Sequence, residues 1–171
     1  MESQLSFEFF PPKTKKGRAA LLRTAEQLNK RNPAFFSVTY GAGGSTREGT
    51  FNAVQVLRSN GFNTAPHLSW GGEGVDSIVD LINQYKRIGV DRMVALRGDI
   101  PSKVSARKDV HYAEELVRLI RTNFDHSLHL EVAAYPEVHP DASSPEEDIN
   151  YLKVKVDAGA NSCITQYFYN S

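Results

Sequence analysis

Apolar residues along this chain switch between two periods. Short runs rich in aromatic and β-branched residues read as strands: Leu5–Phe9, Phe35–Tyr40, Asn63–Leu68, Arg92–Arg97, Leu130–Ala134 and Ser162–Tyr167. Between them, apolar positions recur at helical spacing. Leu21, Leu22, Ala25 and Leu28 form one stripe, Val75, Ile78, Val79 and Ile82 a second, and Ala113, Leu116, Val117 and Ile120 a third. Two more helices are marked by their starts. Ser45-Thr46-Arg47-Glu48 and Ser144-Pro145-Glu146-Glu147 fit capping boxes, the second with proline at the first helical position. Gly89 and Gly159 stand where C-terminal caps belong. The longest loop, Ile100–Lys108, follows a strand.

Strand–helix alternation predicts parallel strands joined by right-handed crossovers. A repeat of roughly 30 residues suits a doubly wound sheet or a (β/α)8 barrel. Pro11-Pro12, rather than Gly-x-Gly-x-x-Gly, follows the first strand and favours the barrel. The predicted class is therefore α/β, a (β/α)8 TIM barrel of which about six strands and five helices are present; a closed barrel needs eight of each in roughly 250 residues. The expectation is a single catalytic-barrel domain over residues 1–171 that is incomplete at its C-terminus.

Composition narrows the partners. Lysine plus arginine and aspartate plus glutamate both number 20, so the net charge is zero, which argues against nucleic acid or an anionic membrane. Lys13-Thr14-Lys15-Lys16 reads as a solvated helix start. The one cysteine, Cys163, lies in an apolar run, excludes an intrachain disulfide and suits a reducing compartment. There is no basic n-region, and no apolar run nears the ~18 residues that span a bilayer. A soluble cytoplasmic protein is expected.

The chemistry gathers at the C-terminal ends of the strands, where barrels of this class carry their sites. Glu8, Thr39 and His67 fall there on the first three strands, and Arg97 and Asp99 on the fourth. Tyr135, Glu137 and His139 follow the fifth strand, and Gln166 lies in the sixth. Phe7, Phe9 and Phe10 crowd around Glu8, and burying an ionised carboxylate is costly unless something compensates. Singly, each residue has a plainer reading: Glu8 as a carboxylate paired with Arg97 or a lysine, His67 as a core histidine. Gly41-Ala42-Gly43-Gly44-Ser45-Thr46 could cradle phosphate, but without a lysine it reads better as a turn into a capped helix, as does Gly71-Gly72-Glu73-Gly74. The five histidines lack paired helical spacing for a metal, and no Gly-x-Ser-x-Gly elbow is present. No resident metal is expected.

The stretches "SFEFFPPK", "FFSVTYGAGGSTRE", "APHL", "IGVDRMVALRGDIP", "EVAAYPEVHP" and "KVDAGANSCITQYFYN" together resemble the flavin-dependent methylenetetrahydrofolate reductases. They occur in family order and cover nearly the whole chain. The resemblance implies a barrel that binds FAD across its strand ends, is reduced by NADH or NADPH, and then reduces 5,10-methylenetetrahydrofolate to 5-methyltetrahydrofolate for methionine synthesis. It implies Glu8 as general acid, Asp99 beside flavin and pterin, and Gln166 on the pterin. Flavin contacts are implied at Thr39, His67, Arg97, Gly98, Asp99, Tyr112, Ala113, Tyr135, His139, Ala142, Asp148 and Lys155; Tyr151 stands where the family commonly has asparagine. Family members commonly form homo-oligomers. Glu8, flanked by phenylalanines, is then expected to have a pKa raised by burial, keeping it protonated until it donates. Asp99 is expected to stabilise the iminium cation of the opened folate ring and to disfavour the anionic reduced flavin. The alternative is a flavin-binding or interaction fragment of this barrel without activity of its own.

Overall fold

The computed structural model describes residues 4–40, 47–70, 74–97 and 112–169. Within them the chain alternates strictly: β1 (Ser6–Phe9), α1 (Lys15–Asn29), β2 (Phe35–Val38), α2 (Arg47–Ser59), β3 (Thr64–Ser69) and α3 (Val75–Arg87). There follow β4 (Arg92–Leu96), α4 (Ala113–Phe124), β5 (His129–Ala134), α5 (Pro145–Asp157) and β6 (Ser162–Thr165). The strands pair in sequence order, and every pairing is parallel. This is a curled, partial (β/α)8 barrel.

Alternation along each strand sends one set of side chains to the helices and the other to the barrel interior. Phe36, Val38, Leu68, Met93, Ala95, Leu130 and Val132 meet Leu57, Ile78, Ile82, Leu116 and Ile120 of the helices in one buried core. Phe7 and Phe9 join it by stacking on Phe36, at centroid distances of 6.1 and 5.5 Å. The Ser144 cap forms as its motif predicts, the Ser45–Glu48 box begins outside the described residues, and Thr14 caps α1 as well. Thr14 accepts from the Gly17 amide at 3.0 Å, and Ser144 from the Glu147 amide at 3.2 Å. Gly89 and Gly159 close α3 and α5 at φ +83° and +112°, a region that excludes most side chains.

One expectation fails here. β1 is not a buried strand: Phe10 is 82% exposed and the Glu8 side chain 52%. The reason is alternation, which turns Phe7 and Phe9 to the helices and Glu8 to the other face, so the phenylalanines do not enclose it. Cys163, in the apolar run of β6, is exposed. No α5 side chain is fully buried, although Leu152 packs against the core; Ile149, Tyr151, Val154 and Val156 are exposed, as is Ile164 on β6. Among the described residues, no helix is long and apolar enough to cross a membrane.

Arginines stitch together the end of the barrel where the strands begin. Arg58, in the last turn of α2, donates to the Gly89 carbonyl and to Asn63 Oδ1. Arg121, in the last turn of α4, donates to the carbonyls of Asp125, Leu128 and Gly159 and to Asn161 Oδ1, at 2.6 to 2.9 Å. Carbonyls left unpaired at helix ends and strand starts are thereby satisfied. In the interior at the same end, Arg92 pairs with Glu131, which is 4% exposed and also accepts from Ser162 Oγ at 2.6 Å. His129 Nε2 lies 2.6 Å from the same hydroxyl.

Burial holds the His129 pKa below its ordinary value; Arg92 and Arg121 add to the shift, while Glu131 and Asp91 oppose it. A depressed folded-state pKa stabilises fully above the unfolded value of about 6.5, and that contribution is lost as pH falls through the folded value. The urea midpoint should therefore drop between pH 7.5 and 5, and His129→Gln should flatten the drop. Identical pH slopes for both proteins would contradict this.

Candidate active site

Of the sites named from sequence, Glu8, Thr39, His67, Arg97, Tyr135 and His139 lie where the strands end, in two groups. The first joins β1, β2 and β3. Ladder register sets Glu8 beside Ser37 and Ser37 beside Ala65. His67, two residues further along β3, brings Nε2 to 3.3 Å from Glu8 Oε2. The distance suits an ion pair, but the alignment falls short of a hydrogen bond, so among the described residues the buried Nε2 makes none. Among the described residues Glu8 thus pairs with His67, not with Arg97 or a lysine. Its pKa is lowered, not raised as the phenylalanines had suggested: His67 is the largest cause, Ser37 also contributes, and partial burial opposes them. Ser37 escapes sequence reading because Phe36 and Val38 make it look like a core position; strict period-two alternation was the signal that could have found it.

Thr39 lies just beyond β2. Its amide donates to the Phe9 carbonyl at 2.9 Å and its carbonyl accepts from Thr50 Oγ1 at 2.9 Å. The Thr39 hydroxyl is buried without a hydrogen-bond partner among the described residues.

The second group follows β4 and β5. Arg97 donates from Nη2 to Asp141 Oδ2 at 2.6 Å, and the guanidinium holds the Asp141 carboxyl below the usual range. The His139 and Tyr135 rings meet edge to face, with centroids 4.4 Å apart. The Asp141 amide donates to His139 Nδ1 at 3.0 Å, and the Ala142 amide to the His139 carbonyl at 2.9 Å. Asp141 was not singled out from sequence, because nothing local reveals a partner 44 residues away.

The other positions take their places around these groups. Tyr112 precedes α4, and its amide donates to Glu115 Oε2 at 2.7 Å; Ala113 opens that helix. Asp148 lies in the first turn of α5, and Lys155 on the same helix donates to the Ala133 carbonyl at 2.6 Å. Burial is the largest cause lowering the Lys155 pKa, and Asp148 opposes it. Gln166 falls just past β6 rather than in it, its amide bonded to the Ala134 carbonyl at 2.8 Å. Gly98, Asp99 and the loop Ile100–Lys108 lie outside the described residues, as do positions 41–46 and 71–73. Among the described residues, no three metal-ligating side chains gather.

Comparison with known proteins converges on one family. A sequence profile described as Methylenetetrahydrofolate reductase matches residues 1–171. The 5,10-methylenetetrahydrofolate reductase of Buchnera aphidicola subsp. Schizaphis graminum is 41% identical over 168 residues, covering 98% of this chain and 56% of that protein. The Escherichia coli K12 protein of the same name is 40% identical over 167 residues, covering 97% and 55%. The chain thus spans about half the length of the curated relatives it matches. Among solved structures, phosphoenolpyruvate phosphomutase from Streptomyces platensis subsp. rosaceus superposes with a TM-score of 0.64 at 11% identity, over 96% of this chain and 60% of that one; the likeness is one of fold. With the profile matched from first residue to last and strand ends carrying the residues that the motifs singled out, the chain belongs to the methylenetetrahydrofolate reductase family.

Proposed function

We propose that this chain carries the FAD-binding and folate-reducing half-site chemistry of an oxidoreductase that converts 5,10-methylenetetrahydrofolate to 5-methyltetrahydrofolate with NADH or NADPH. The observation that carries the reading is the Glu8–His67 pair at the strand ends, in a chain whose whole length matches the family. The residues suit a flavin. Two buried polar atoms, Thr39 Oγ1 and His67 Nε2, have no hydrogen-bond partner among the described residues. An unmet buried polar group costs about 1–3 kcal/mol, so a planar ligand rich in donors and acceptors would be stabilised there. Thr39, His67, Arg97, Tyr135 and His139 would hold it, with Tyr112, Ala113, Ala142, Asp148 and Lys155 around its edge. When bound, the flavin supplies two electrons taken from the nicotinamide.

The protein's own task in folate reduction is a proton. The bridging carbon accepts hydride readily only once the five-membered ring opens to an iminium cation, and opening needs a proton on the departing nitrogen. Glu8 delivers it. Free, the carboxyl is ionised and paired; a pterin laid across it would exclude water and raise its pKa. His67, 3.3 Å away, is the residue that holds the carboxyl in place. Gln166 would orient the pterin, and Asp99 would stabilise the cation.

A second reading has its own support. The chain covers about 55% of its relatives, and the apolar side chains of α5 and β6 are exposed, which suits a fragment that binds flavin without turning over. A visible absorption spectrum, with intact mass on the same sample, separates the two. Flavin bands near-stoichiometric with protein, bleached by NADH or NADPH and restored by methylenetetrahydrofolate, are expected of the reductase. Bands that bleach but are not restored would point to the fragment, and failure to take up added FAD would overturn both.

A further inference from the structure

We infer that Asp141 is a positioning residue for the cofactor side of this site: it fixes two ligand-facing side chains at once, Arg97 through its carboxylate and His139 through its amide. The inference rests on the flavin reading above and adds a residue which that reading does not contain.

The turn comes first. His139, Pro140, Asp141 and Ala142 close a β-turn through the Ala142 amide and the His139 carbonyl, with proline at the second position, where its fixed φ is already correct. Inside that turn, the Asp141 amide donates to Nδ1 of His139. That bond ties Nδ1 to the turn and leaves Nε2 as the ring nitrogen to face a ligand, while the Tyr135 ring, edge to face at 4.4 Å, limits rotation of the imidazole.

The carboxylate does the second job. Arg97 leaves β4 with a long, rotamer-rich side chain, and among the described residues Asp141 alone accepts from it. The guanidinium offers five donors in a rigid plane, and one bond to Asp141 leaves the others for a ligand. An exposed ion pair adds little to stability, so the pair is not needed for the fold. Its effect is on binding: side chains already ordered do not have to be ordered when a ligand arrives.

FAD titration of the full chain and its variants, followed by flavin fluorescence, tests this. Asp141→Asn should weaken binding about tenfold, the scale set by re-ordering an arginine on binding. Asp141→Glu, which keeps the charge, should restore most of it. In an Arg97→Gln background, Asp141→Asn should change the affinity little, because the carboxylate acts through Arg97. Unchanged affinity in Asp141→Asn, or the same tenfold loss without Arg97, overturns the inference. If wild-type protein takes up no FAD, the flavin reading fails, and the clamp is decided separately by the Arg97 guanidinium NMR signals. Slowly exchanging Arg97 protons lost in Asp141→Asn would uphold the clamp; identical signals in both proteins would overturn it.

Discussion

Glu8→Gln is expected to lower folate reduction by about 10²–10⁴-fold, the usual contribution of a positioned general acid, while FAD uptake and flavin reduction by NADH or NADPH stay near wild type. Glutamine keeps the size and the hydrogen-bonding reach towards Ser37 and His67 but has no proton to give. The loss should therefore fall on one half-reaction, and rapid-mixing absorbance of each half separately will show it. The acidity of Glu8 adds a second signature. His67 keeps the free carboxyl below its ordinary value, so the protonated fraction grows as pH falls. Folate reduction limited by this proton should accelerate towards lower pH in the wild type and lose that dependence in the variant. Wild-type turnover in Glu8→Gln would remove the role altogether.

The largest effect on stability is expected at the opposite end of the barrel. Glu131 is 4% exposed and depends on Arg92, whose guanidinium also lies 4.6 Å over the Phe35 ring. Arg92→Met keeps the packing on Phe35 but strands the carboxylate. Breaking a buried pair from one side costs about 3–5 kcal/mol, and the partial exposure of Arg92 puts the expected loss near the lower figure. The paired replacement Arg92→Met with Glu131→Leu should recover most of it, because no charge is then left in the interior. Urea unfolding of the three proteins measures this directly; a double variant no more stable than Arg92→Met would show that the ion pair is not the cause.

The sequence carried local signals faithfully and long-range partners poorly. Strand and helix positions were legible because period and caps are local: Ser144 caps α5 as its motif predicts, and Gly89 and Gly159 take the left-handed φ that only their chemistry makes easy. That Glu8, Thr39, His67, Arg97 and Gln166 lie at one end of the barrel was legible too, since topology dictates it. Their partners were not. Glu8 was read from its phenylalanine neighbours in sequence, yet its nearest charge comes from β3, and alternation had already turned those rings away. Arg97 meets Asp141 only because the turn after β5 brings the two ends together. Such contacts depend on the pitch of the sheet and on loop geometry, which composition does not encode.

The arginine-stitched end has a consequence for how this scaffold can change. Arg58 and Arg121 tie the helix ends to the strand starts, mostly through backbone carbonyls, which every residue type supplies. The side chains that would meet ligands sit at the far end, on turns that take little part in this network. Substitutions that retune ligand preference can therefore accumulate at one pole while the other keeps the chain foldable. A library randomised at the mouth should retain folded members far more often than one randomised around Arg121, which makes this barrel a suitable starting point for altered specificity.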